Sequence, residues 1–577
     1  MKVNRKAGFS LIEVILSSAI FALLVTAIVG GIIYGRESTA VSGSRARAIA
    51  FAEEGIEAVR NLRDQNFGNL TDGTHGLTVS LGQWFFSGTS DVNGIFTRQI
   101  SIGTLNENAK NITSTVTWPQ TPSRPGSIVL SGRLTNWRAP KPRGGMLVYR
   151  DGATTPDFIR YKTLDSSGVW SGASLAADVD SATTNKIPRA TQVYSSATRN
   201  EKVMISRHLA GTNGQTIYAQ VYDGLSWGNV VLLSSWTSNT LTDVQNFSGA
   251  YLQNGDFMTV YSDNTAVPKF RVWNGVSWQS QVSLPSVGGT PAFIVIKNRS
   301  GTNEVAAAFF DSGSDTNTLY FNGGAYLTAS WTSLIEHATT APFTNRRLVD
   351  FTWSPSNPLK GLLIYGSSAG DRTINARVWT ANGTGGGSWS ASVDSTSIGT
   401  NLSSLAISGR ATGDEFIACK KDSAATPDIY CFRNNISNVW SNPGSQTITT
   451  VTDAGIQRSF DIAYEPATGG LGLIVYSDNT TVPKLKKYNP VSNSWDAAPT
   501  NLNTLGGSLE VVRLIPHPDT DDILILLADT NQDSYSLIWN GVLDSIYSTP
   551  AGKTFTAHSI SGSTDTDFWF DFAWDKF

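Results

Sequence analysis

One carboxylate, Glu13, stands inside an apolar run that extends from Phe9 to Tyr34. A charge within a membrane span is expensive and normally has a partner. No Lys, Arg or His lies within the run, so the partner must come from another chain or from a new amino terminus. The rest of the chain is poor in reactive constellations. Its five His, at 75, 208, 337, 517 and 558, share no metal-ligand spacing. There is no phosphate-cradling Gly-rich loop followed by Lys-Ser/Thr. Asp529, Asn531 and Asp533 put oxygen-bearing side chains at alternate positions, as calcium loops do. They lack the Gly and distant Glu of a helix-loop-helix site, and Asp and Asn are also ordinary turn residues. Calcium is the one cofactor with a candidate site, and no catalytic residue stands out, so the expectation is a non-enzyme.

The elements that position Glu13 follow from pattern. The apolar run is long enough to cross a bilayer core as a helix. Lys2, Arg5 and Lys6 precede it and should hold the amino terminus in the cytoplasm, with everything downstream outside. From Arg36 to about Asn66, Val41, Ala48, Ala52, Ile56, Val59 and Leu62 recur at helical steps and predict one apolar face. Alternating segments at Gly76–Leu81, Ile95–Ile100, Ile112–Trp118 and Ser127–Thr135 then read as strands. Two Pro within residues 138–143 favour a stiff linker.

The stretch Lys6-Ala7-Gly8-Phe9-Ser10-Leu11-Ile12-Glu13-Val14 resembles the cleavage signature of type IV prepilins and of the pseudopilins of type II secretion. The resemblance implies that a prepilin peptidase cuts after Gly8 and methylates the new amino-terminal Phe9. It also implies that Glu13 pairs with the Phe9 ammonium of a neighbouring subunit during assembly. Many major pilins carry a helix-loosening Pro where this chain has Gly30-Gly31. Residues 52–61 are similar to the helix of minor pilins, and the strands to residue 137 complete a pilin-like head.

The 577 residues continue far beyond that head, with only 15% charged and with 53 Gly and 17 Trp. The formal charge of −3 argues against a nucleic-acid partner. Residues 473–484 mirror residues 258–269 almost letter for letter, around Tyr-Ser-Asp-Asn-Thr. Looser copies anchor near Tyr149, Ser206, Phe310, Tyr365, Lys420 and Leu527, a repeat of about 54 residues. Each copy holds three strands, a turn such as Asn274-Gly275 or Asp223-Gly224, and a shorter fourth strand near a Trp. Those Trp are Trp170, Trp227, Trp278, Trp389, Trp440 and Trp495; the fourth and eighth units lack a clear one. Four-stranded units of this length predict a β-propeller at 144–577, with eight blades, or seven if the weak fourth unit is mis-parsed. Phe570–Trp574 reads as a first strand with nothing after it, and Gly145–Asp151 as a second strand with nothing before it. The chain end should therefore complete the first blade.

Cys419 and Cys431 lie on adjacent strands of one unit and are candidates for a disulfide across their hairpin or for two buried thiols. The repeated Tyr-x-Asp and Asn-Gly-x-x-Trp units resemble those of propeller lectins, which makes the six Trp candidate ligand contacts. Packing of blade on blade is the competing role for them. The expected whole is a leader at 1–8, a transmembrane and pilin helix at 9–66, a small β head at 67–137 and a propeller. Its expected function is a minor, tip-located type IV pilin presenting a recognition or adhesion head for a surface glycan or protein. An assembly-priming pseudopilin and a propeller glycan hydrolase are the alternatives. Expected partners are the peptidase, other pilin subunits and, before assembly, the membrane.

Overall fold

The computed structural model describes residues 10–576, apart from 81, 107–108, 122–123, 136–143, 152–157, 167, 180–185, 211–213, 238–243, 341–345, 369, 384, 444–445, 453–454, 456, 542–544, 548–555 and 561–568. It divides into two compact units, Met1–Pro140 and Lys141–Phe577. The Pro-rich linker lies outside the described residues.

In the first unit, α1 (Leu11–Gln65) is one unbroken helix through Gly30 and Gly31. It is long and apolar enough to cross a membrane, and its apolar window buries nothing. Its last five turns pack Ala48, Phe51, Ala52, Gly55, Ala58, Val59 and Leu62 on an antiparallel sheet. The buried face is rotated from the expected one, since Ile56 is only half-buried and Phe51, Gly55 and Ala58 carry the contact. The reason is Arg98, which fills the interface. Its guanidinium donates to the Phe51 carbonyl at 2.9 Å, pairs with Asp91 at 2.8 Å and lies 3.9 Å over the Phe51 ring. A Cβ at Gly55 would come within 2.9 Å of the Arg98 side chain, so only Gly lets the helix approach this closely. The long strands of that sheet, Phe96–Asn106, Ala109–Thr121 and Arg124–Thr135, extend the expected ones, with short strands at Gly73–His75 and Asp91–Asn93 beside them.

The second unit is all-β. Its described residues form eight antiparallel sheets, each built on four strands, in sequential order in all but the first. The first strands of sheets two to eight are Lys186–Ser195, Phe247–Tyr251, Pro291–Asn298, Val349–Trp353, Leu402–Gly409, Phe460–Tyr464 and Leu509–Pro516. The first strand of sheet one comes from the far end of the chain: Phe570–Trp574 pairs with Gly145–Asp151. First strands of successive sheets touch one another in order. Sheet eight meets sheet one through Arg513, which pairs with Asp571 at 3.1 Å, and through Trp574 Nε1, which donates to the Ile515 carbonyl at 2.8 Å. The sheets therefore close into a ring, which pairs the chain ends and leaves no broken sheet at the join.

Turn chemistry builds the repeat. Gly224 and Gly275 sit at φ 97° and 89°, where a side chain would be strained, and Asp223 and Asn274 cap the turn by accepting two backbone N–H groups each. In sheet four the third and fourth strands are joined instead by residues 322–330, ending in a short 3-10 turn. Its fourth strand, Trp331–Ala338, does begin with a buried Trp, contrary to the sequence reading. The longer connection moved that Trp out of the Asn-Gly-x-x-Trp spacing. In sheet eight the fourth position is split between Ser545–Tyr547 and Thr556–Ile560.

Candidate functional site

Gly8 and Phe9 lie outside the described residues. Glu13 is exposed on the first turn of α1, and its carboxylate accepts the Ser10 N–H at 3.0 Å. Such a contact at a helix start satisfies a free donor and favours the carboxylate near the positive end of the helix. It turns the acid back toward the start of the helix. Arg36 is the first basic residue after the leader, so nothing within the span neutralises Glu13.

The six candidate Trp are spread one to a sheet and do not converge. Each packs on aromatic rings nearby: Trp170 on His558 and Phe572, Trp227 on Tyr222, Trp278 on Trp273, Trp389 on Trp379, Trp440 on Phe432 and Trp495 on Tyr488. Two of the indoles also hydrogen-bond across sheets. The indole of Trp278 donates to the Asn229 carbonyl of sheet two at 2.8 Å, and that of Trp440 to the Val393 carbonyl of sheet five at 3.0 Å. Cys419 and Cys431 are joined as a disulfide across directly opposed positions of sheet six, both fully buried.

Asp529 is buried, and its carboxylate accepts backbone N–H groups from Gly507, Asn531 and Asp533 at 2.7, 3.0 and 3.1 Å. Burial raises the pKa of Asp533, and the Asp529 charge raises it further. The same staple recurs at Asp311 of sheet four and Asp422 of sheet six. Each ties the hairpin between the second and third strands to the loop that enters its sheet. Among the described residues, no group of three or more His, Cys, Asp or Glu is placed to hold a metal ion.

A cluster that the sequence reading did not single out faces the axis of the ring. Asp350, Asp461 and Asp571 occupy the second position of the first strand in sheets five, seven and one. Arg347 pairs with Asp350 at 2.8 Å, Arg458 with Asp461 at 3.0 Å, and Arg513 with Asp571 at 3.1 Å. Arg458 also lies 3.9 Å from Asp350, reaching from sheet seven to sheet five past sheet six. Only groups on the inner rim can meet in that way. Two of the carboxylates also accept N–H groups from the next sheet, Asp461 from Leu514 and Asp571 from Val193. In sheet three Ser248 takes the corresponding N–H, from Ile296 of sheet four. The first strands of sheets two, four, six and eight instead carry a bulge, so the ring alternates between the two designs. Burial raises the pKa of Asp571, and the Arg513 charge opposes that shift. A signal for this belt exists in the sequence as Arg-x-x-Asp at 347–350 and 458–461 and as Phe-Asp-Phe/Ile at 460–462 and 570–572.

Residues 3–29 match the model of the prokaryotic N-terminal methylation motif. Comparison with curated protein sequences gives no match. Solved structures similar to the chain include the BP39L lectin of Burkholderia pseudomallei, at 9% identity and TM-score 0.44, over 64% of this chain and 99% of that one. The β-propeller domain of the trilobed protease of Pyrococcus furiosus matches at 8% identity and TM-score 0.33, over 65% and 99%. A lectin of Aleuria aurantia matches at 12% identity and TM-score 0.29, over 65% and 95%. With scores this low, the fold assignment rests on the ring of sheets itself. The chain thus joins a prepilin-type N-terminal methylation motif, on one long apolar helix, to a large propeller-like ring of four-stranded sheets.

Proposed function

We propose that the chain is a minor type IV pilin that carries its ring to the cell surface as a recognition or adhesion head. The observation that carries this reading is the joining, in one chain, of the methylation motif and a pilin-like helix-on-sheet unit to a separate ring. The peptidase would cut after Gly8 and methylate Phe9. Glu13, aimed back at the start of α1, would then meet the Phe9 ammonium of a neighbouring subunit in the filament core. Before assembly α1 would anchor the protein in the cytoplasmic membrane with the ring outside. A ring of this size would crowd a shaft if every subunit bore one, which favours a minor subunit near the tip. The binding head would act without catalysis, its ligand a surface glycan or protein. Calcium at Asp529, Asn531 and Asp533 stays a secondary proposal, to be tested by a melt with calcium and with chelator.

Labelled counting along purified filaments tests the position: label confined to tips is expected, and stoichiometric label along the shaft would sink the tip assignment. Glycan and matrix-protein arrays probed with the full chain test the head. No binding to any glycan, cell or matrix protein would favour the assembly-priming role, and turnover of a glycan would establish a hydrolase instead.

A further inference from the structure

Cys419, on Glu415–Asp422, faces Cys431, on Ile429–Asn435, with their Cα atoms 4.1 Å apart, and neither residue has exposed surface. Part of their cover is local: Ile417, Ile429 and Ile448 of sheet six share one apolar cluster with them. The rest comes from sheet seven, whose Phe460, Ile462 and Ile474 complete that cluster. Thiol–disulfide exchange passes through a mixed disulfide, so a partner's sulfur must reach the pair. A site without surface admits no such partner, and apolar surroundings suppress the attacking thiolate. The hairpin, by contrast, needs nothing from sheet seven to bring the two sulfurs together. The Asp422 N–H donates to the Asp428 carbonyl at 3.0 Å, and the Asp422 carboxylate accepts the Asp428 N–H at 2.9 Å. Those contacts close the turn and set the register that opposes the cysteines, only 12 residues apart in sequence. Hairpins form within about 1–10 μs. The ring has to wait for Phe570–Trp574, which follows sheet eight in the chain.

We propose that Cys419 and Cys431 are the substrate of a disulfide-carrying thiol oxidase, which acts after the sheet-six hairpin forms and before sheet seven packs over it. The thiolate of one cysteine attacks the oxidase disulfide, bonding to one oxidase sulfur and releasing the other. The thiolate of the second cysteine then attacks the first cysteine's sulfur, forming the Cys419–Cys431 bond and releasing the remaining oxidase sulfur. Two electrons pass to the oxidase, which leaves as a dithiol with the two protons that the cysteines lose. Such oxidants work outside the cytoplasm, so the partner rests on the placement of the ring outside the membrane, whereas the sealing of the pair does not.

The test treats the detergent-solubilised full chain with dithiothreitol, caps free thiols with maleimide and reads the intact mass. In native buffer the disulfide should last about a hundredfold longer than in urea that unfolds the ring. A chain reduced in urea and refolded in dithiothreitol should stay reduced when moved to glutathione disulfide. The same glutathione disulfide, present during refolding, should close the bond. If the reduced chain does not refold while the oxidised chain does, oxidation must come first, as proposed. Cys431→Ala keeps one thiol, which maleimide should reach in urea and not in buffer. In cells, thiol trapping of pulse-labelled chains should show the disulfide before the ring resists protease, and cells without an extracytoplasmic thiol oxidase should accumulate the reduced chain. A folded ring that is reduced or reoxidised as fast as the unfolded chain overturns the sealing. Protease resistance that precedes the disulfide overturns the order, and full oxidation without the oxidase overturns the partner. The buffer and urea comparisons hold whether or not the chain is a pilin, so the two readings fail separately.

Discussion

Removing the Phe572 ring tests whether the closing strand holds the ring together. Phe572 is buried in sheet one, 4.9 Å from the Trp574 ring and 5.9 Å from that of Trp170. The tip of its ring also abuts Gly145, where a Cβ would fall 2.1 Å from the Phe572 ring. Truncating such a residue removes its transfer energy and leaves a cavity, at a cost of about 3–5 kcal/mol. Unfolding entropy is about 2.1 cal/mol/K per residue. Over a unit running from Lys141 to Phe577, that gives roughly 0.9 kcal/mol/K. Phe572→Ala should therefore lower the melting temperature of the ring by about 3–5 °C. Gly145→Ala should destabilise through clashes with the Phe572 ring and with the Ala573 carbonyl, 2.8 Å from the new Cβ; Phe572→Ala relieves the first of these, so the two substitutions together should cost less than their sum. The assay is differential scanning calorimetry of the four forms, with the exposed Val439→Ala as control. A shift under 1 °C for Phe572→Ala, or strict additivity of the two substitutions, would refute the packing described for the closing strand.

Other outcomes follow from single contacts. Cys419→Ser/Cys431→Ser removes a cross-link spanning 12 residues and should cost about 3 kcal/mol, seen as an earlier midpoint in denaturant. Arg98→Met leaves Asp91 without its ion-pair partner and the Phe51 carbonyl without a donor, and should loosen the first unit by about 3–5 kcal/mol. Hydrogen exchange along Ala48–Leu62 would report it. Burial lowers the pKa of His337 and His558 to about 3, so both stay neutral in the folded ring. The unfolded chain then binds more protons between pH 6.5 and 3, and stability, complete above pH 6.5, is lost as the pH falls. Each His contributes up to about 1.4 kcal/mol per pH unit in that window. His337→Gln/His558→Gln should flatten the fall in melting temperature between pH 6.5 and 4.5.

Local chemistry made much of the fold legible. Asn274-Gly275 and Asp223-Gly224 mark turns because of what their backbones must do, and those marks repeat with the sheets. Phe570–Trp574 was readable as a stray first strand because its pattern copies Phe460–Tyr464. Glu13 was legible because a lone acid in an apolar run conflicts with its surroundings. The axial belt was harder to see. Asp350, Asp461 and Asp571 look like ordinary strand polar residues until closure brings sheets one, five and seven to one axis. Arg98 was missed for the same reason: its partners Phe51 and Asp91 become neighbours only when helix and sheet pack.

The most direct measurement of the central claim is the intact mass and amino-terminal sequence of the protein purified from membranes of cells with and without a prepilin peptidase. With the peptidase, the chain should begin at a methylated Phe9; without it, or in Gly8→Val, it should retain Met1 to Gly8. A chain that begins elsewhere, or whose amino terminus is the same in both cells, would contradict the reading of this protein as a pilin.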